Sequence, residues 1–83
     1  MDIEQLKFFI SAAVLNNFSA AAAENNISQS AFSKQIRSLE DEVKVDLFER
    51  RGRTVQLSAA GKCFLEYACA MVSQYNRMKS DMA

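Results

Sequence analysis

Apolar residues recur at helical spacing from the start of the chain: Ile3, Leu6, Phe9, Ile10, Ala13 and Val14 follow Asp2, a good N-cap with Glu4 in the first turn behind it. The pattern predicts a core helix to about Leu15. Asn16-Asn17 should end it, because Asn tolerates the left-handed conformation that closes helices. Ser19 then reads as the cap of a short second helix, Ala20 to Asn25, whose four consecutive alanines combine high helix propensity with little bulk. Small side chains let another helix cross closely. The turn that follows, Asn26-Ile27-Ser28, offers a residue tolerant of positive φ, an apolar plug and a cap for the next helix. That third helix spans Ser28 to Val43. Phe32, Ile36, Leu39 and Val43 fall within roughly 60° of one another on its circumference, while Ser30, Lys34 and Arg37 lie about half a turn away with Ser33 on the flank. Two helices joined in this way form a helix-turn-helix.

After Val43 the period changes to two. Leu47–Arg50 and Arg53–Leu57 read as short strands around Arg51-Gly52, with Val55 and Leu57 inward and Thr54 and Gln56 outward. A two-stranded hairpin is hardly stable alone, so it must lean on the helices and leave its basic tip exposed as a wing. Ser58 caps a last helix that can run from Ala59 to near the end of the chain, roughly 35 Å at 1.5 Å per residue. Leu65, Ala68, Val72, Tyr75 and Met82 keep a three-four spacing on it, interrupted by Lys79, and Phe64, Met71 and Met78 widen the stripe. So small a domain cannot cover all of this seam, which points to a second subunit and makes these eight residues the candidate dimer contacts. The expected fold is mainly α: a winged helix-turn-helix over residues 1–58, with a three-helix core and a hairpin wing, followed by a long linker and dimerisation helix over 59–83.

Eighty-three residues make one domain with one small core. An apolar fraction of 49% with no Pro and two Gly fits a folded, mostly helical chain, and leaves Gly52 and Gly61 as the informative breaks. Ten basic and ten acidic residues cancel, so the chain as a whole lacks the electrostatic attraction typical of nucleic-acid binders. The charge is nevertheless segregated. Arg50, Arg51 and Arg53 cluster at the hairpin tip, whereas Glu40, Asp41 and Glu42 lie at the far end of the third helix.

The hydroxyls and cations of that helix suit a major groove, since Ser can bond base edges or phosphates and Lys and Arg neutralise phosphate or reach guanine. Its start, capped by Ser28, offers free amides and the positive dipole end to a phosphate. The three arginines around the wing glycine, Arg50, Arg51 and Arg53, suit phosphate or a minor groove, Arg51 and Arg53 being the candidate contacts. Enzyme chemistry has no foothold: there is no His and no glycine-rich phosphate loop, and Cys63 and Cys69 fall on the apolar last helix. Those two cysteines, about 9 Å apart along one helix and pointing different ways, cannot form a disulfide, and their spacing fits no zinc site. No cofactor is expected. No run approaches a transmembrane helix and no secretory signal opens the chain, so the expectation is a cytoplasmic protein without membrane contact.

The series Leu6 and Phe9, Phe18-Ser19 with Ala21-Ala22, Ile27-Ser28-Gln29-Ser30-Ala31-Phe32-Ser33-Lys34-Gln35-Ile36, Leu39-Glu40, Leu47-Phe48-Glu49-Arg50 and Leu57-Ser58-Ala59-Ala60-Gly61 covers nearly the whole chain. In this order and spacing it resembles the N-terminal DNA-binding domain of LysR-type transcriptional regulators, a bacterial family. The resemblance implies a dimer on a dyad-symmetric operator in double-stranded DNA, the third helix in the major groove, the wing on the adjacent backbone and minor groove, and dimerisation through the linker helix. By position it implies that Gln29, Ser30, Ser33, Lys34 and Arg37 face DNA, with Arg53 and Thr54 in the wing. It further implies an effector-binding domain beyond this fragment, which itself would take no small-molecule ligand. Three residues or properties depart from the family: Ser30 stands at a usual Pro, Asn25 at a usual buried Leu, and the net charge is neutral. The expected consequences are a less rigid helix start with an added hydroxyl, a weaker contact between the second helix and the core unless Ile27 and Phe18 compensate, and modest affinity that depends on dimerisation. A winged-helix module that binds protein instead of DNA is the alternative.

Overall fold

Asp2 opens the first helix as expected, its carboxylate accepting from the Gln5 amide at 2.7 Å. The computed structural model describes residues Met1–Ala83, in the order α1 (Ile3–Leu15), α2 (Phe18–Glu24), α3 (Gln29–Val43), β1 (Phe48–Arg51), β2 (Thr54–Leu57) and α4 (Ala59–Met82). The strands form one antiparallel hairpin.

Asn16 and Asn17 divide the first turn between them. Asn16, at φ 55, closes α1 by donating its amide to Ala12, whereas Asn17 is extended and accepts from the Ala20 amide at 2.8 Å. The cap of α2 is therefore Asn17 and not Ser19, and the helix begins two residues earlier than the alanine run suggested. The physical reason is Phe18. Starting the helix there turns this ring inward, where it is buried, and leaves Ser19 exposed in the first turn. Asn26 takes the left-handed conformation predicted for the turn, at φ 58, and Ser28 caps α3 by accepting from the Ala31 amide at 3.1 Å.

All six phenylalanines are linked ring to ring. Phe8 meets Phe32 at 5.4 Å, Phe32 meets Phe18 at 5.7 Å, Phe18 meets Phe48 at 5.2 Å, Phe48 meets Phe9 at 5.3 Å, and Phe9 meets Phe64 edge-on at 5.0 Å. This path ties every helix and the first strand into one core, each pair adding about 0.5–1.5 kcal/mol beyond the area it buries. Phe32, Ile36 and Leu39 of α3 are fully buried, and Val43 is half-buried against them.

The hairpin is displaced by one residue from its expected place. Arg51 pairs with Thr54, so the two-residue loop is Gly52-Arg53. Gly52 has φ +62 and Arg53 has no positive φ, the sign pattern of a loop with Gly at its first central position. The glycine thus sets the register. Glu40 anchors the base of the wing, its Oε2 accepting from the amides of Leu47 at 2.8 Å and Phe48 at 3.2 Å. On the other strand the Val55 amide donates to the Asn16 carbonyl at 3.1 Å, so the end of α1 borders the hairpin.

Ser58 caps α4 by accepting from Gly61 at 2.9 Å and donates to the Asp46 carbonyl at 2.6 Å. Here the structure corrects the seam. Ala68 is wholly buried by the domain's own core and cannot be a dimer contact, while Phe64, packed on Phe9, and Leu65 and Val72 are half-buried against that core and have only part of their surface left for a second subunit. The uncovered apolar surface is instead Met71 at 39% exposure, Met78 at 47% and Met82 at 76%, together with Tyr67 at 63%, which the spacing argument omitted. Tyr75 is half-buried, and Lys79 breaks the stripe by placing its Nζ 5.1 Å from the centre of the Tyr75 ring. Beyond Tyr75 every residue is exposed, and α4 accounts for much of the molecule's 43 Å length.

Asn25 is half-buried, as its position required, but it is not orphaned. Its amide donates to the Ser11 hydroxyl at 3.2 Å and to the Ala21 carbonyl at 2.8 Å. Ser11 is the one polar residue in the buried set, so the polar substitution is matched by a polar partner.

Candidate nucleic-acid interface

The exposed face of α3 follows from burial of its opposite side. With Phe32, Ile36 and Leu39 inward, Gln29, Ser30, Lys34 and Arg37 stand exposed and Ser33 is half-buried at their flank. Ser28 is exposed as well, and its hydroxyl lies 3.3 Å from that of Ser30. The molecule has two ion pairs. One joins Arg51 to Glu49 at 3.7 Å and the other the N-terminal amine to Glu42 at 2.6 Å. Lys34, Arg37, Arg50 and Arg53 therefore have no carboxylate partner, whereas Arg51 is already paired. The N-terminal amine neutralises part of the acidic end of α3, and Glu40 is committed to the wing. Zero net charge thus conceals four cations without an ion-pair partner, although Glu40, Asp41 and Asp46 line the same hollow as Arg37 and Arg50.

Arg50 is the wing arginine whose inward placement differs from the expected exposed tip. In β1 it shares a face with Phe48, two residues away, and it pairs across the hairpin with buried Val55, so it points toward the helices while Glu49 and Arg51 point outward. Its guanidinium sits 5.0 Å from the centre of the Phe18 ring. Stacking of this kind holds a cation in one place and still leaves its N–H groups free. The period-two alternation from Phe48 was the signal that could have found it.

Arg50 opens into a cleft of about 490 Å³ lined by Asn17, Phe18, Ser19, Gln29, Gly52, Arg53 and Val55. Two guanidinium groups line it and no carboxylate does. The cleft joins the start of α2, the start of α3 and the wing, so Gln29 and Arg53, predicted from separate elements, are brought to one site. Thr54 is exposed at the tip and donates its hydroxyl to the Arg51 carbonyl at 2.9 Å, a bond that stiffens the loop. Arg37 lies further along α3, in a second hollow of mixed charge shared with Glu40, Asp41, Lys44, Asp46 and Arg50. Both cysteines are free and exposed, and no three His, Cys, Asp or Glu side chains converge as metal ligands would. No helix is long and apolar enough to cross a membrane.

A two-helix motif closed by a left-handed Asn, packed on α1 and flanked by a basic hairpin, defines a winged helix-turn-helix. The chain belongs to the lysR family of bacterial regulatory helix-turn-helix proteins, whose family model matches residues 3–62. It is 40% identical over 80 residues to the probable cat1 operon transcriptional activator of Acinetobacter lwoffii, covering 96% of this chain and 26% of that protein. Over 79 residues it is 42% identical to the Hca operon transcriptional activator HcaR of Escherichia coli strain K12, covering 95% and 27% respectively. It spans about a quarter of the length of these curated relatives. Among solved structures, the DNA-binding domain of CbnR in complex with DNA superimposes with a TM-score of 0.94 at 36% identity, covering 99% of this chain and 94% of that one. The DNA-binding domain of BenM with benA site 1 DNA gives 0.93 at 32% identity, covering 99% and 92%.

Proposed function

We propose that this chain is the sequence-specific DNA-binding domain of a LysR-type transcriptional regulator and binds a dyad-symmetric operator as a dimer. The observation that carries this reading is the continuity of one unpaired polar and cationic surface, from the exposed face of α3 through the Arg50 cleft to Arg53. Gln29, Ser30, Ser33 and Lys34 read base edges in the major groove, while Arg37 and the amides beside Ser28 hold phosphates. The wing, through Arg53 and Thr54 with Arg51 at its edge, takes the adjacent backbone and minor groove. Arg50 adds a phosphate contact from the cleft. Residues 1–58 form the reading unit and residues 59–83 the dimerisation helix, through Tyr67, Met71, Met78 and Met82. The domain acts in the cytoplasm by binding alone and catalyses nothing. Where a larger effector-binding domain accompanies it, that domain supplies the small-molecule response.

Gel shifts with promoter fragments at low and moderate salt test the proposal. A discrete complex that survives competitor DNA, and weakens steeply with salt, is expected because each neutralised phosphate releases counterion. Only a diffuse, fully competed smear would overturn it and favour a winged-helix module that binds protein.

A further inference from the structure

Gln29 is not free to present either end of its amide. Ser19, exposed in the first turn of α2, donates its hydroxyl to Gln29 Oε1 at 2.5 Å. The oxygen is drawn toward α2 and the Nε2 amino group is left without a partner in the chain. Both residues line the cleft between α2, α3 and the wing, so a bound duplex would shield their hydrogen bond from water and strengthen it.

An unconstrained Gln pairs with adenine by donating to N7 and accepting from the N6 amino group. A Gln whose oxygen is turned toward a neighbouring helix faces the groove with its Nε2, so against adenine it keeps only the N7 contact and its amino group lies against the N6 amino group. Guanine offers two acceptors, N7 and O6, and thymine offers O4. We infer that Ser19 is a positioning residue that turns Gln29 Oε1 toward α2 and presents Nε2 to the groove, favouring a keto base, guanine or thymine, over adenine at one position of each half-site. The inference rests on the DNA-binding reading above and sharpens it: the residue that sets the base preference lies on the helix before the reading helix.

The test is selection of bound duplexes from a randomised DNA pool by the wild-type chain and by Ser19→Ala, Ser19→Thr and Gln29→Ala. Gln29→Ala is expected to flatten one position of the selected site, and at that position the wild type should favour guanine or thymine over adenine by about tenfold. Ser19→Ala should bring adenine to parity or above at that position and leave the others unchanged, and Ser19→Thr, which keeps the hydroxyl, should restore the keto preference. Adenine preferred there by the wild type, a profile indifferent to Ser19→Ala, or equal loss at every position would each overturn the positioning role. Failure of every variant and of the wild type to enrich any sequence would instead overturn DNA reading itself, and this inference with it.

Discussion

The backbone of α4 runs so close to Leu47 that a Cβ on Gly61 would overlap the Leu47 carbonyl oxygen and lie 3.0 Å from its carbonyl carbon. The same oxygen accepts from the Ser58 amide at 3.0 Å, so it cannot swing aside without breaking the start of the helix. Helix propensity alone would make Gly61→Ala favourable by about 1 kcal/mol. The overlap is with main chain held by a hydrogen bond, so overpacking dominates, and a net loss of about 2 kcal/mol or more is expected. For a domain of this size that lowers the melting temperature by roughly 10 °C, measurable by circular dichroism. An unchanged or raised melting temperature would show that α4 can slide away from the wing.

Three non-glycine residues, Asn16, Asn26 and Lys44, hold the left-handed conformation. Asn26, in the turn between the crossing helices, bears it easily, so Asn26→Gly should be nearly neutral while the β-branched Asn26→Val should cost about 1–2 kcal/mol. Lys44, which closes α3 at φ 61, has no such tolerance, and Lys44→Gly should stabilise by about 1 kcal/mol. Opposite changes in melting temperature for Asn26→Val and Lys44→Gly are the expected pattern. Equal melts for Asn26→Gly and Asn26→Val would refute strain at that turn.

The proposed dimer can be separated from the fold because its apolar surface is now distinct from the core. A charge at Val72 would strike both, since Val72 packs on its own domain. Met78 is exposed and outside that core, so Met78→Glu should leave the melting temperature of the isolated subunit unchanged while weakening self-association at least tenfold, as an unpaired charge is buried. Sedimentation equilibrium over a concentration series reads this directly. A wild-type chain that stays monomeric at high micromolar concentration would remove α4 as the dimer contact.

Long amphipathic periods made α1, α3 and α4 legible in the sequence, and with them the exposed face of α3, because each helix buries one stripe and has only one way to do so. What escaped was decided between neighbours. Asn16-Asn17 reads as a single break, yet one Asn ends a helix and the other begins the next, and only the need to bury Phe18 assigns them. An apolar stripe on α4 likewise does not say whose core will cover it, which is why Ala68 and Met78 looked equivalent. Arg50 was counted among three wing arginines, although its strand register turns it inward onto Phe18 and its neighbour outward onto Glu49. The pairing of Ser19 with Gln29 joins residues ten positions apart on two helices, a contact no spacing rule specifies.

The division of labour between reading and anchoring can be tested on the same surface. Ser33 and Lys34 lie on the exposed side of α3, and if this side faces base edges their replacement by Ala should weaken operator binding by about 1–3 kcal/mol while affecting random duplex less. Arg53 sits at the hairpin tip with no carboxylate partner, so Arg53→Ala should weaken binding to operator and random duplex alike and reduce the salt slope by roughly one unit per subunit. Arg50→Ala should act like Arg53→Ala on the salt slope, but it also removes the cation from the Phe18 ring and so should lower the melting temperature slightly, by an amount matching about 0.5–1 kcal/mol. Arg50→Lys keeps the charge and loses the planar fork, and it should recover the salt slope without full affinity. Salt titrations of affinity for the two duplexes, with each variant, decide among these. If Arg53→Ala abolished discrimination between operator and random DNA while Ser33→Ala and Lys34→Ala preserved it, the wing would be the reading element and α3 the anchor.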